Sequence, residues 1–135
     1  MNQYIAEVNG IYQTDNATEH SYRPALQLLL QRLLENVAAD LTVTNEPKRI
    51  ECGAPDYIVA QNEIPIGYIE AKDVGVNLDA KDHKEQFDRY RHALGNLIIT
   101  DYLTFKLFEN GELVTTATIG EIADKEIRPV AGHYD

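Results

Sequence analysis

Asp56, Glu70 and Lys72 are the residues whose types and spacing are best suited to chemistry. Two β-branched runs flank a polar turn around Glu63, a pattern that predicts an antiparallel hairpin. Asp56 precedes Glu63 by seven residues and Glu70 follows it by seven, so the two carboxylates are expected to face each other on neighbouring strands. Lys72 should project to the same side as Glu70, because residues two apart on a strand share a face.

Two facing carboxylates need a neutralising partner, since unit charges about 4 Å apart repel by roughly 4 kcal/mol at an effective dielectric constant of about 20. Three partners could neutralise the carboxylates: the ammonium group of Lys72, a proton on one carboxyl group, or a hard divalent cation held by oxygen ligands. The alternative interpretation is a half-exposed hairpin on which Asp56, Glu70 and Lys72 simply face solvent.

The motif formed by Pro55-Asp56, thirteen intervening residues and Glu70-Ala71-Lys72 resembles the signature of the PD-(D/E)XK restriction-endonuclease-like superfamily. The resemblance implies an α/β fold, namely a three-layer α/β/α restriction-endonuclease-like core with a central mixed sheet. It also implies hydrolysis of DNA phosphodiester bonds that depends on Mg²⁺, with Mn²⁺ as an alternative ion.

A second motif, Gln86 and Tyr90, resembles the Q-x-x-x-Y motif of the superfamily branch that contains helicase-linked nucleases and restriction subunits. The resemblance to this branch covers roughly residues 18 to 119. Within the branch, the sequence is most similar to the amino-terminal nuclease domain of large single-chain restriction-modification enzymes. The resemblance implies that Gln86 and Tyr90 line the catalytic site, whereas the alternative is that they form the rim of an amphipathic helix.

The resemblance also implies individual roles. Asp56, Glu70 and the backbone carbonyl of Ala71 would hold the metal ion, and Glu19 would complete the acidic site. Lys72 would position or help to deprotonate the attacking water and offset the negative charge of the transition state. For Glu19 the alternative is an ordinary glutamate at a helix amino terminus, where the helix dipole favours an anion.

Two helices are predicted by periodicity. The first begins near Thr18, tolerates Pro24 because it falls near the first turn, and buries one apolar face, with core residues Leu26, Leu29, Leu30, Leu33, Leu34 and Val37. The second runs from about Ala80 to Leu94 with Asp79 as its cap. On it, Phe87 and Leu94 are expected to face the core while Gln86 and Tyr90 face the strand that carries Glu70.

Further strands are predicted around the central hairpin. Residues 41–44 alternate like a strand, and residues 97–100 form a short, continuously apolar run typical of a strand covered on both faces. A helix between the hairpin and that run implies a crossover connection. Two later runs flank Asn110-Gly111, a strong hairpin signal. Together these elements predict an α/β core with helices on both faces of the sheet.

The length of 135 residues is enough for one domain with one core. We expect a nuclease-like domain over residues 1–119, followed at 120–135 by a short helix, or by a tail or linker toward a further domain. No apolar run approaches membrane-spanning length, and the first ten residues lack the features of a signal peptide, so a cytoplasmic location is expected.

The formal net charge of −10 argues against a self-sufficient DNA-binding protein, because phosphate contacts depend on lysine and arginine. DNA as the partner therefore implies that other domains of a longer protein do most of the holding. Basic residues gather between Lys81 and His92, although acidic residues are interleaved there. The competing hypothesis is a non-catalytic interaction or regulatory module that retains the nuclease fold and binds a protein through its acidic surface.

Overall fold

A computed structural model describes residues 2–14, 16–17, 19–35, 40–45, 55–74 and 76–130, and of residues 2, 19, 20 and 45 the backbone alone. The helices within these ranges are α1 (Asn2–Tyr12), a short 3₁₀ helix (Glu19–Tyr22), α2 (Arg23–Glu35) and α3 (Lys81–Ala93). The strands are β1 (Leu41–Asn45), β2 (Tyr57–Gln61), β3 (Ile64–Ala71), β4 (Asn96–Thr100), β5 (Thr104–Glu109), β6 (Glu112–Thr118), β7 (Gly120–Ala123) and β8 (Glu126–Pro129).

Strands β1 to β6 form one sheet in sequence order. All neighbours are antiparallel except β3 and β4, which are parallel and are joined by the crossover that contains α3. The predicted crossover and the hairpin at Asn110-Gly111 are both confirmed. A parallel pair requires such a long connection, because the chain must return to the same end of the sheet.

The sheet has a packed core on each face. Helices α1 and α2 cover one face, where Val8, Leu26 and Ile69 are buried together. Helix α3 covers the other face, where Phe87 and Ile99 are buried together. A mixed sheet with helices on both sides is the predicted α/β/α arrangement, and the fold class is confirmed.

The turn between β2 and β3 contains two residues, Asn62 and Glu63, both in the left-handed region with φ of 51° and 70°. Left-handed residues at both positions define a turn that matches the right-handed twist of a hairpin. Farther along the ladder, Ala60 pairs with Pro65 whereas Val59 pairs with Gly67, so Ile66 is an extra residue in a β-bulge. The bulge shifts the pairing by one residue before the strands reach Asp56 and Glu70.

Helix α1 buries one apolar face, on which Tyr4, Ile5 and Val8 lie. The leucine-rich helix α2 begins at Arg23, after the 3₁₀ turn, rather than near Thr18. Fewer of its leucines are buried than predicted: Leu26 is fully buried, but Leu33 is 44% exposed. Val37 lies outside the described residues.

Helix α3 begins at Lys81, close to the predicted position, but the predicted cap is wrong. Ala80 occupies the capping position, and the carboxylate of Asp79 instead accepts a hydrogen bond from Lys106 Nζ at 2.8 Å. Phe87 and Leu94 face the core as expected. Asp79 therefore forms an ion pair with Lys106 on β5 instead of capping α3.

Residues 120–129 form the hairpin β7–β8 rather than a short helix. The hairpin packs on α1, where Ile127 is buried in the core and its amide donates to Asn9 Oδ1 at 2.8 Å. The expected division at residue 119, with a tail or linker beyond it, stays a prediction, and residues 131–135 lie outside the described part. None of the described helices has the length and apolarity needed to cross a membrane.

Candidate active site

The candidate site lies where β2 begins and β3 ends. Tyr57 pairs with Ile69, so continuing the same ladder by one residue sets Asp56 opposite Glu70. Residues that are directly opposite in an antiparallel pair share a face of the sheet. The hairpin thus brings the two carboxylates together in the arrangement expected from their spacing around Glu63.

Glu70 is the buried member of the pair, with only 4% of its surface exposed. Its Oε2 lies 3.5 Å from Lys72 Nζ, and its buried Oε1 accepts no hydrogen bond from the described residues. Burial, with a further contribution from the neighbouring charge of Asp56, raises the pKa of Glu70 from 4.5 to about 8, although Lys72 opposes the shift. Without another cation the Glu70 carboxyl group therefore holds a proton near neutral pH.

Asp56 is held by two donors. Its Oδ1 accepts a hydrogen bond from the guanidinium of Arg23 at 2.5 Å, and its Oδ2 accepts one from the backbone N–H of Ala71 at 2.8 Å. The side chains of Arg23 and Asp56 are 8% and 13% exposed, so this is a buried, charge-assisted pair. The bond to Ala71 also ties Asp56 to the end of β3, directly beside Glu70.

Arg23 is the residue that sequence reasoning missed. The three agents considered for neutralising the carboxylates were Lys72, a proton and a divalent ion, yet the guanidinium beside Asp56 belongs to Arg23 at the start of α2. A local signal existed, since Arg23 stands between Tyr22 and Pro24 ahead of an apolar helix, where a charged residue needs a partner once it is buried. The identity of that partner depends on the folded contact between α2 and the hairpin.

Lys72 is fixed at the junction of three elements. Its amide donates to the carbonyl of Thr100 at 2.8 Å, which extends the β3–β4 pairing by one residue. Its ammonium group lies 3.5 Å from Glu70 and 5.8 Å from the centre of the Phe87 ring on α3. A side chain that is only 16% exposed and has these contacts holds its charge in a defined position.

Gln86 and Tyr90 lie on α3, the helix whose Phe87 ring contacts Lys72. Gln86 is half-buried, whereas Tyr90 is 2% exposed and packs in the core beneath α3. Their assignment to the catalytic site stays a prediction. The side chain of Glu19 lies outside the described part of the structure, so its proposed role as a ligand also stays a prediction.

The donor set suits Mg²⁺. This ion commonly takes one or two carboxylates and completes its octahedron with water and substrate phosphate oxygens. Among the described residues no cluster of three or more metal-binding side chains occurs, but Asp56 and Glu70 supply two carboxylates, and Glu70 Oε1 is buried without a donor. A cation at that oxygen would replace the proton that the raised pKa of Glu70 retains, so the residues present fit a divalent ion.

The mixed six-stranded sheet with helices on both faces has the architecture of a restriction-endonuclease-like core. The chain is similar to a chain in a cryo-EM structure of a DrdV–DNA complex, with a TM-score of 0.67 and 25% sequence identity. The match covers 86% of this chain and 11% of that chain, so this chain spans only a small part of that chain's length. No family model and no curated protein matches the sequence.

Proposed function

We propose that this chain is a Mg²⁺-dependent DNA endonuclease domain, which hydrolyses phosphodiester bonds as part of a restriction-modification enzyme. The observation that supports this most is the buried Glu70 carboxyl group, which faces Asp56 and lies 3.5 Å from Lys72. A purely structural hairpin has little need to bury one carboxyl group opposite another. The arrangement is useful when a divalent ion and a phosphate bind there.

Each residue has a separate role in this proposal. Asp56, Glu70 and the carbonyl of Ala71 would hold Mg²⁺, or Mn²⁺ in its place, and Glu19 is a further candidate ligand. Such an ion would supply electrophilic assistance and lower the pKa of the attacking water. Lys72 orients the attacking water and offsets the charge that develops on the phosphoryl oxygens, as a new P–O bond forms and the bond to the leaving oxygen breaks.

Arg23 has a positioning role. Its guanidinium holds Asp56 Oδ1, while the Ala71 amide holds Oδ2, so the carboxylate plane is fixed from two directions. Each carboxylate oxygen has a second lone pair that stays available to an ion. Gln86 and Tyr90 complete the proposal as residues that line the site from α3, on the basis of the sequence resemblance alone.

DNA is the proposed substrate, and other domains of a longer protein are proposed to hold most of it. The DrdV structure, in which a much longer chain is in complex with DNA, is consistent with this division of labour. The net charge of −10 is the observation that favours the alternative, a non-catalytic interaction or regulatory module. The two proposals differ in whether Lys72 is needed for cleavage.

Plasmid cleavage by the parent protein that carries this domain is the decisive test. The wild type should cut supercoiled plasmid in Mg²⁺ and lose that activity in EDTA. Lys72→Ala should reduce cutting by two orders of magnitude or more, because it removes charge stabilisation in the transition state. Lys125→Ala, which removes an exposed lysine from the β7–β8 turn, is the matched control and should cut like the wild type.

Thermal unfolding of each variant separates lost chemistry from lost folding. Lys72→Ala should retain a cooperative transition, since the substitution shortens a side chain at a strand end without emptying the core. Unchanged cutting by a folded Lys72→Ala variant would reject the catalytic assignment and favour the interaction module.

A further inference from the structure

A cavity of about 210 Å³ with charged lining residues lies between α3 and the sheet. It is lined by apolar side chains, by three cations, Lys84, Arg91 and Lys106, and by two carboxylates, Asp79 and Asp88. An excess of cationic side chains is notable in a chain with a net charge of −10. The cavity is therefore a place where an anion can approach an otherwise repulsive surface.

The sheet connects this cavity to the candidate active site. Glu70 on β3 pairs with Ile99 on β4, and Ile99 pairs with Lys106 on β5. Directly paired residues share a face, so Lys106 lies on the same face as Glu70, two strands away. Two strand spacings amount to about 9.6 Å. A DNA strand whose scissile phosphate lies at Glu70 and Lys72 thus has further phosphates within reach of Lys106.

The ion pair of Lys106 is asymmetric. The Lys106 side chain is only 20% exposed, but its partner Asp79, 2.8 Å away, is 80% exposed. The Lys106 ammonium group is therefore held in place by the fold, whereas the Asp79 carboxylate is open to solvent. An ion pair with such an exposed partner contributes little stability. Lys84 shows the reverse order of exposure: its side chain is 71% exposed, and its ammonium group is hydrogen-bonded to Asp88, whose side chain is 34% exposed.

Arg91 differs from the two lysines because it is already engaged in the fold. Two of its nitrogens donate to the carbonyl of Gly111, at 3.2 and 2.8 Å, and its guanidinium lies 4.9 Å from the centre of the Phe108 ring. These contacts anchor the β5–β6 turn to α3. The two lysines are thus the cations that can exchange their carboxylate partners for an external anion.

We propose that Lys106 and Lys84 form a second phosphate site, which binds the DNA backbone beside the scissile phosphate, and that Asp79 and Asp88 occupy it as counter-ions in the absence of DNA. The ligand class is a phosphodiester anion. This inference rests on the proposed function for its choice of DNA, but the test below uses neither a metal ion nor cleavage. Its failure is therefore distinguishable from failure of the nuclease assignment.

The first arm measures salt dependence. The ¹⁵N-labelled chain is titrated with a short DNA duplex in EDTA at several salt concentrations. Lys106→Met should reduce the slope of log K against log salt by about 0.9, the value for one lost phosphate contact. Methionine keeps the buried stem of Lys106 and removes only its charge. Arg32→Met, which removes an exposed cation from α2 on the opposite side of the sheet, should leave the slope unchanged.

The second arm removes a counter-ion. Asp79→Asn should tighten duplex binding about fivefold, the effect of a unit charge about 4 Å away in water. Glu85→Gln is a closely matched control, because Glu85 is 85% exposed and also forms a 2.8 Å ion pair, with Arg89, but does not line the cavity. Any one of three results would overturn the proposal. The first is an equal effect of Lys106→Met and Arg32→Met on the salt slope, and the second is an equal effect of Asp79→Asn and Glu85→Gln on binding. The third is the absence of a duplex-induced shift at residue 106 at low salt.

Discussion

At the scale of single residues, the pKa of Glu70 links the site to pH. Because the folded state raises this pKa from 4.5 to about 8, the folded protein binds one more proton than the unfolded chain between these values. The stabilisation associated with that proton is complete below the unfolded pKa and is lost as the pH rises through the folded one. The free energy of unfolding of the metal-free protein should therefore decrease toward alkaline pH.

Glu70→Gln tests this linkage. In EDTA the wild type should lose about 1.4 kcal/mol of stability for each pH unit within the window between the two pKa values. The glutamine variant has no proton to lose at this position, so its curve should be flatter there. Denaturant unfolding at pH 5.5, 6.5 and 7.5 provides the measurement, and parallel curves for the two proteins would contradict the assigned cause.

Arg23 gives a second prediction at this scale. Arg23→Met leaves the Asp56 carboxylate buried without its guanidinium partner, which should cost about 3 kcal/mol in EDTA. Mg²⁺ should restore part of that loss, because a cation bound only to the folded state stabilises it and can compensate the charge of Asp56. The increase in melting temperature on adding Mg²⁺ should consequently be larger in Arg23→Met than in the wild type.

The control for Arg23 is the double variant Arg23→Met, Asp56→Asn. It has no uncompensated carboxylate at position 56, so its response to Mg²⁺ should be small. Shifts of the backbone signals of residues 56, 70 and 71 on Mg²⁺ addition locate the ion in each protein. A Mg²⁺ response that is equal in the single and double variants would exclude Asp56 as a ligand.

At the scale of elements, the hairpin shows why its pairing could be predicted. Counting symmetrically from Glu63 correctly sets Asp56 opposite Glu70, but two compensating features produce this result. The actual turn is centred between Asn62 and Glu63, half a residue before the centre assumed at Glu63. The extra residue Ile66 then shifts the pairing by one residue, so that the strands beyond the bulge pair as if the turn were centred on Glu63. Neither feature has a clear local signal in the sequence.

Deletion of Ile66 is a test of that explanation. Removing the bulged residue leaves every other pair of the β2–β3 ladder intact, so the two carboxylates should still face each other and Mg²⁺ should still shift their signals. The variant should lose about 1 kcal/mol, since Asn96 Nδ2 donates to the Ile66 carbonyl at 2.9 Å. Loss of the Mg²⁺ response in a folded variant would show that the bulge itself shapes the site.

Periodicity predicted the elements well where one face is buried. The apolar spacing of α3 and the alternation of β1 depend only on neighbouring residues, and both elements occur close to the expected positions. The pairings of Arg23 with Asp56 and of Lys106 with Asp79 join residues far apart in sequence. Such partners are determined by how helices and strands pack, which the spacing of residues along the chain does not encode.

At the scale of the whole molecule, charge sets the expected behaviour toward DNA. A net charge of −10 repels a duplex over most of the surface, so attraction is confined to the site and to the cations near α3. The isolated chain should bind a duplex with a dissociation constant of about 10⁻⁴ M or weaker at physiological salt, the weak end of nonspecific binding. Titration by NMR or fluorescence anisotropy measures this.

A tether should change that outcome. Fusion to a DNA-binding domain through a short flexible linker presents the duplex at an effective concentration near the millimolar range. The fused chain should therefore cut with Mg²⁺ under conditions in which the free chain cuts slowly or undetectably. A free chain that binds in the nanomolar range would show that the charge argument is wrong.

The turn at Asn62 and Glu63 has a consequence for conformational strain. The hairpin that carries both carboxylates reverses direction through two non-glycine residues in the left-handed region, whereas Asn110-Gly111 makes the corresponding turn with glycine second. A glutamate in that region costs about 1 kcal/mol that glycine avoids. Glu63→Gly should accordingly raise the melting temperature by about 3 °C and leave the Mg²⁺ response unchanged, which differential scanning calorimetry can check. A lower melting temperature would show that Glu63 contributes a stabilising contact larger than the strain it carries.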